Sequence, residues 1–361
     1  MYRPVTCRHD GQVRFQVSRT LDAIEGRLTT DPLLATAVLD LTEVVRDSGL
    51  DSGRPAFLLR LGLAIDAVAR EFGDDTAAVY AVAERGLLSD TDLSSNERMV
   101  IRRWSDDGLV EVIPAGTPAL ARAREIGELT GLPVVSRTPV RGYALLPAPG
   151  SATLVAHRSA PGAGGAEAGA PPPGSHPALR RWWRCPEPGC PSFPTGRGQS
   201  PPRIAAAVPI CPRHGTRLAD AGTRPAAVAL VVRVDGTVRH RFTVVAGYPV
   251  SVGRLPDDPN GVALGPLLDS DTGRRISRTH VRLDLRDSGL TVTDTSTNGT
   301  WLRARQVPPG QPHPIGERDT LHMHDRVEIG RAGRPPAAAP GAAAASVMGD
   351  APTVAMRLPR G

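Results

Sequence analysis

The amino-acid sequence predicts a multidomain α+β protein: a mainly helical N-terminal domain, a small cysteine-bearing module and a C-terminal all-β domain. Three observations predict it. Apolar residues recur at helical spacing through most of the first 110 residues. A run of Ala, Gly, Pro and Ser then interrupts the chain from Ser159 to Pro177, and short β-rich runs divided by turns take over from Ala226. A chain of 361 residues exceeds one ordinary core and suits two or three domains. The expected divisions are the helical domain at 1–147, a flexible linker at 148–178, the module at 179–222, the all-β domain at 225–331 and a disordered tail at 332–361.

In the first domain, Thr30-Asp31-Pro32 has the form of a helix start, and Leu34, Val38, Leu41 and Val45 follow at helical spacing. Further helices are expected from Pro55 to Phe72 and from Asp75 to Arg85. Ser94 and Glu97 have capping-box spacing, opening a helix through Trp104 that Gly108 stops. Leu109 to Ile113 reads as a strand, Thr117-Pro118 opens one more helix ending at Gly131, and Pro133 to Val135 and Tyr143 to Leu146 read as strands. The Ala/Gly/Pro run buries too little apolar surface to offset its chain entropy.

In the last domain the expected strands are Val228 to Val234, Val238 to Val245, Val250 to Gly253, Val281 to Leu285 and Leu290 to Asp294. Asp235-Gly236 is a hairpin signal between the first two.

The net charge is +6, and every one of the 43 basic residues is arginine. With heavy use of Ala, Gly and Pro, that bias fits coding in a GC-rich bacterial genome. Residues 1–150 carry 17 arginines against 21 acidic residues, so the positive excess sits in the second half, where a phosphate-binding surface needs it. A general nucleic-acid role is not favoured. The N-terminus lacks the apolar core of a signal peptide, and no run of about 18 apolar residues appears. A cytoplasmic protein without a membrane partner is expected.

Three short motifs fall in order within the β region: Gly253-Arg254, Ser277-Arg278-Thr279-His280 and Thr297-Asn298-Gly299-Thr300. Together they resemble the signature of the forkhead-associated (FHA) family, over roughly 105 residues, and Asp325 to Gly330 is similar to the family's closing strand. His324 departs from the Gly that many members place before that Asp. The resemblance implies a β-sandwich with phosphothreonine-binding loops at one end. It also implies that Arg254 and Ser277 take the phosphate, assisted by Thr297 and the backbone near Arg278, while Asn298 holds the peptide backbone. His280 would brace the loops from beneath, Gly253 and Gly299 would be structural, and Arg275 would read the third residue after the phosphothreonine. The chemistry agrees: phosphothreonine carries nearly two negative charges and three acceptor oxygens, and charge-assisted hydrogen bonds to it contribute about 1.5–3 kcal/mol each.

The expected partner is a phosphothreonine protein, a Ser/Thr kinase or its substrate. Some bacterial members bind their own phosphothreonine, and Thr353 in the tail is a candidate for this, or else an unused threonine.

Cys185 and Cys190 have four residues between them, twenty follow, and Cys211-Pro-Arg-His214 completes a set. Three thiolates and an imidazole suit tetrahedral zinc in a structural role, and a segment of about 40 residues folds poorly without such a staple. Trp182 and Trp183 would pack against this zinc-ribbon-like knuckle. A Cys185–Cys190 disulfide or uncombined thiols are the alternatives, and Cys7 is left over.

No phosphate-cradling Gly-rich loop with Lys, nucleophile elbow or catalytic zinc pattern is found, so no enzyme is expected. The main expectation is a phosphothreonine-dependent adaptor or regulator in Ser/Thr kinase signalling. The alternative is a DNA-binding transcriptional regulator that uses Arg98, Arg102 and Arg103 on a recognition helix.

Overall fold

The computed structural model describes residues 20–51, 53–136, 155–157, 176–258, 260–332 and 346–348. Cys7, Thr353 and the strand expected at Tyr143 to Leu146 lie outside the described residues.

The N-terminal region is α/β, which corrects the expectation of a mainly helical domain. Its elements are β1 (Ala37–Asp40), α1 (Leu41–Arg46), α2 (Arg60–Phe72), β2 (Val79–Glu84), α3 (Ser95–Asp106), β3 (Val110–Ile113), α4 (Ala119–Thr130), β4 (Val134–Ser136) and β5 (Val155–His157). The strands form one sheet in the order β3-β2-β1-β4-β5. All pairs are parallel except β4 with β5. The chain winds outward from β1 to β3, then α4 carries it back to pair β4 on the other side of β1, which is a doubly wound arrangement.

Alternate residues of each strand enter opposite layers. Ala37 and Leu39 of β1 and Val79, Ala81 and Ala83 of β2 join the large core with α1 to α3. Val38, Tyr80, Val82 and Val134 face Ala123 and Ile126 of α4. A strand buried on both faces loses the alternation that would mark it. For this reason the segment expected as a helix from Asp75 to Arg85 contains β2, and the helical spacing from Leu34 to Val45 conceals β1 running straight into α1.

The helix expected at Ser94 is present as α3, with both halves of the capping box formed. Nothing here supports its expected use as a recognition helix, since its arginines are engaged within the chain. Arg98 donates to the Asp90 and Leu93 carbonyls, Arg102 donates to the Leu88 carbonyl, and Arg103 pairs with Glu25. The strand that follows is the edge of the parallel sheet and forms no wing.

The cysteine module comprises β6 (Arg181–Arg184) paired with β9 (Ala219–Thr223), and the hairpin of β7 (Arg203–Ala205) and β8 (Val208–Ile210). It is tied to the first domain through a buried charge cluster. Glu111 of β3 accepts from Arg122 of α4 at 2.6 Å and from the Tyr80 hydroxyl at 2.5 Å, and Arg122 also donates to the Pro201 carbonyl at 2.6 Å. With these partners in place the pair tolerates burial, where either charge alone would cost several kcal/mol.

The C-terminal domain is a sandwich. One sheet has the order β11-β10-β20-β19-β16-β17 and the other β13-β12-β14-β15-β18. The main strands are β10 (Ala227–Val234), β11 (Thr237–Val245), β12 (Val250–Gly253), β13 (Val262–Ala263), β14 (Val281–Arg286) and β15 (Gly289–Asp294). They are completed by β16 (Trp301–Leu302), β17 (Arg305–Gln306), β18 (Pro312–Pro314), β19 (Leu321–His324) and β20 (Val327–Arg331). Each strand expected here is found within a residue of its predicted ends. Asp235 and Gly236 turn the first hairpin with φ of 52° and 74°, the left-handed pair that a tight hairpin requires. Leu230, Val232, Val252, Val281, Leu283 and Val292 meet in the core between the sheets.

The sandwich is docked on the first domain. Arg233 of β10 pairs with Asp75 at 3.1 Å, and Arg241 of β11 donates to the Thr76 carbonyl at 2.9 Å and the Leu34 carbonyl at 2.7 Å. Burial pushes the Arg241 guanidinium down to about 10.

Candidate functional site

At one end of the sandwich three loop tips are stitched together, beginning with Gly253 at the end of β12. A Cβ there would lie 2.1 Å from the Arg278 carbonyl oxygen, so the close approach of the two backbones demands glycine. That approach lets Arg254 N–H donate to the Ser277 carbonyl at 2.9 Å and Leu255 N–H donate to the Arg278 carbonyl at 3.1 Å. Arg254 and Ser277, far apart in sequence, are thereby neighbours.

The third tip joins through side chains. Ser277 Oγ accepts from Thr297 N–H at 3.1 Å, and Asn298 Nδ2 donates to the Arg275 carbonyl at 2.7 Å. Gly299, at φ 87°, makes the turn beneath them. Sequence reasoning missed the support under this turn: Asp294 accepts from Ser296 N–H at 2.9 Å and from Thr300 Oγ at 3.0 Å. An Asp three residues before the Thr-Asn-Gly motif, placed to cap a turn, was the available signal.

His280 lies fully buried below the tips. Its Nδ1 accepts from Ser277 N–H at 3.2 Å, and its Nε2 lies 3.1 Å from the Gly299 carbonyl, to which it donates. One nitrogen accepts and the other donates, so the bridge uses the neutral Nε2–H tautomer. Burial pushes the imidazole below its usual value, with the Gly299 contact opposing.

Between that lowered value and about 6.5 the unfolded chain binds a proton that the folded chain refuses, so stability rises with pH across this window and falls as pH drops through it. The melting temperature should therefore fall as pH drops below about 6.5. Comparing wild type with His280→Asn isolates this residue from His240, which burial also lowers; identical acid slopes in the two would exclude His280 as a source.

The arginines differ in availability. Arg278 is paired with Asp257 at 2.5 Å, a contact between exposed groups that sequence reasoning did not foresee. Arg254 and Arg275 are exposed, and among the described residues neither has an ion-pair partner. The tips thus present a free guanidinium at Arg254, the Ser277 and Thr297 hydroxyls, and the Asn298 amide oxygen. A tetrahedral dianion is the complement of that set.

A second cluster lies in the cysteine module. Cys185, Cys190, Cys211 and His214 place one ligand atom each within 4.8 Å of one another. Cys185 Sγ lies 3.3 Å from His214 Nδ1, Cys211 Sγ lies 3.6 Å from that nitrogen, and Cys190 Sγ lies 3.8 Å from Cys211 Sγ. These match the edges of a tetrahedron with metal–ligand bonds of about 2.0–2.3 Å. The three cysteines are free and buried, so the Cys185–Cys190 disulfide is not formed. Trp183 packs within the cluster, whereas Trp182 faces the Arg224 guanidinium 5.9 Å away.

The sandwich thus carries three convergent loops at one end, with an exposed guanidinium and hydroxyls at their tips. Residues 250–324 are an FHA domain: they match the family model of that description. The chain is also similar to solved FHA domains. That of an Arabidopsis thaliana hypothetical protein is 22% identical, covering 31% of this chain and 90% of that one with a TM-score of 0.25. The FHA-1 domain of Mycobacterium tuberculosis Rv1747 is 27% identical, covering 30% and 99% with a TM-score of 0.22. That of the CT664 protein from Chlamydia trachomatis is 17% identical, covering 30% and 100% with a TM-score of 0.25. No curated protein matches the chain. No helix among the described residues is long and apolar enough to cross a membrane.

Proposed function

We propose that the chain is a phosphothreonine-dependent protein-binding adaptor or regulator in Ser/Thr kinase signalling. One observation carries the reading: Arg254, with no ion-pair partner among the described residues, stands on a tip hydrogen-bonded to the Ser277 loop, whose hydroxyl in turn holds the Thr297 loop. Arg254 takes the phosphate as a charge-assisted donor, Ser277 Oγ and Thr297 Oγ complete its shell, and Asn298 Oδ1 receives the peptide backbone. Arg275, exposed on the neighbouring loop, reads the third residue after the phosphothreonine and favours an acidic or polar one.

The test is a titration of the full chain with matched phosphorylated and unphosphorylated threonine peptides. Binding of the phosphorylated form near micromolar, about −8 kcal/mol, is expected; equal weak binding of both forms would remove the reading.

Within the same reading, Cys185, Cys190, Cys211 and His214 hold one zinc ion. With four protein ligands no position remains open for water, so the metal's contribution is structural. The spacing of the donor atoms and the small size of the module support this.

A further inference from the structure

A short peptide is held by a built receptor on α2. Gly62 and Asp66 are four residues apart and share one face of that helix. Residues 346–348 lie against that face. The Asp66 carboxylate accepts from Val347 N–H at 2.7 Å, from Met348 N–H at 3.2 Å and from Ser346 Oγ at 2.5 Å. Val347 is 6% exposed and belongs to the large core of the first domain, and Met348 packs at its margin.

Gly62 explains the fit. A glycine inside a helix is less favourable than alanine, so one standing there needs a reason. A Cβ at this position would lie 2.4 Å from Met348 Sδ and 3.2 Å from Ile24 Cδ1. The missing side chain is the seat of Met348. An apolar anchor, a shaped notch and paired acceptors for two backbone amides amount to recognition of a Ser-Val-Met segment.

Ser346 is the exposed member of the set. A protein kinase would form an Oγ–P bond there, break the bond between the γ-phosphorus of ATP and its bridging oxygen, expel ADP and release the hydroxyl proton. The donor to Asp66 is then gone, and about 1.5–2 negative charges stand beside that carboxylate. The buried Arg27 also faces Asp66, but it is shared with Asp74 and Asp75 and donates to the Ala77 carbonyl. Its guanidinium is buried and bonded below the surface, so it is not presented to a phosphate on the exposed Ser346.

We propose that Ser346–Met348 is a phosphorylation-sensitive clasp: Val347 and Met348 fasten the C-terminal segment to the Gly62–Asp66 face of α2, and phosphate on Ser346 releases it. This stands apart from any reading of the phosphothreonine loops.

Amide hydrogen exchange on the full chain tests it, comparing wild type, Gly62→Val, Ser346→Ala and protein carrying phosphoserine at 346. In wild type the Val347 and Met348 amides should exchange at least about tenfold more slowly than free peptide. Gly62→Val and phosphoserine should bring them to the free rate. Ser346→Ala loses one of three bonds to Asp66 and should keep measurable protection. Protection of the α2 amides reports whether Gly62→Val has folded; if it has not, the phosphoserine protein decides alone. Wild-type amides exchanging at the free rate, or phosphoserine protein as protected as wild type, would overturn the proposal.

Discussion

Cys211→Ser is expected to empty the cysteine module of metal and unfold it. Wild type should contain one zinc per chain, and the variant essentially none. Cys211 is fully buried and touches two of the other three ligands, Cys190 and His214. Serine offers an alcohol that does not ionise near neutral pH, so an electrostatic ligand is lost together with the tetrahedron. Structural zinc contributes about 10–16 kcal/mol of binding free energy in comparable small domains, far more than the few apolar side chains here can replace.

Trp183 supplies the structural readout. Its indole N–H donates to the Ala178 carbonyl at 2.8 Å and its ring packs against the cysteines, so its fluorescence should shift to that of a solvated tryptophan. Chelation of wild type should reproduce the shift. Protein that contains no metal and ignores chelators would refute the assignment.

The second large effect is at Arg254. Arg254→Ala should weaken binding of a phosphothreonine peptide at least about tenfold, since one charge-assisted hydrogen bond exceeds 1.4 kcal/mol. Binding of the unphosphorylated peptide should not change. Arg278→Ala is the control of equal charge. That guanidinium is held by Asp257, so its removal should cost less than about threefold. Calorimetry on both variants, with folding checked by melting, measures this. Equal losses would mean that the phosphate senses only the summed positive charge of the rim.

The two halves of the chain differ in how openly their sequence declares the fold. In β14 of the sandwich only one face enters the core, so Val281, Leu283 and Leu285 alternate with Arg282, Asp284 and Arg286, and a reader of the sequence finds the strand. The strand β10 is buried throughout and is legible instead from its β-branched run and the Asp235-Gly236 turn that ends it. In the first domain Val79 to Ala83 is buried on both faces, and its alanines read as helix. Pattern carries the number of exposed faces, and only through it the element. The loop motifs and the Cys/His spacing were visible because each concentrates its chemistry within a few residues. The Arg278–Asp257 pair and the Gly62 seat were not visible, because each depends on which segments approach in space.

Arg241 hands the sandwich to the first domain through two backbone carbonyls, whereas its neighbour Arg233 uses a carboxylate. Ions in solution weaken attraction between opposite charges but scarcely touch a dry guanidinium–carbonyl bond. Arg233 and Asp75 are themselves mostly buried, so across the ordinary range of cellular salinity both rivets of this joint would hold, and the loop end of the sandwich would keep its heading relative to the parallel sheet.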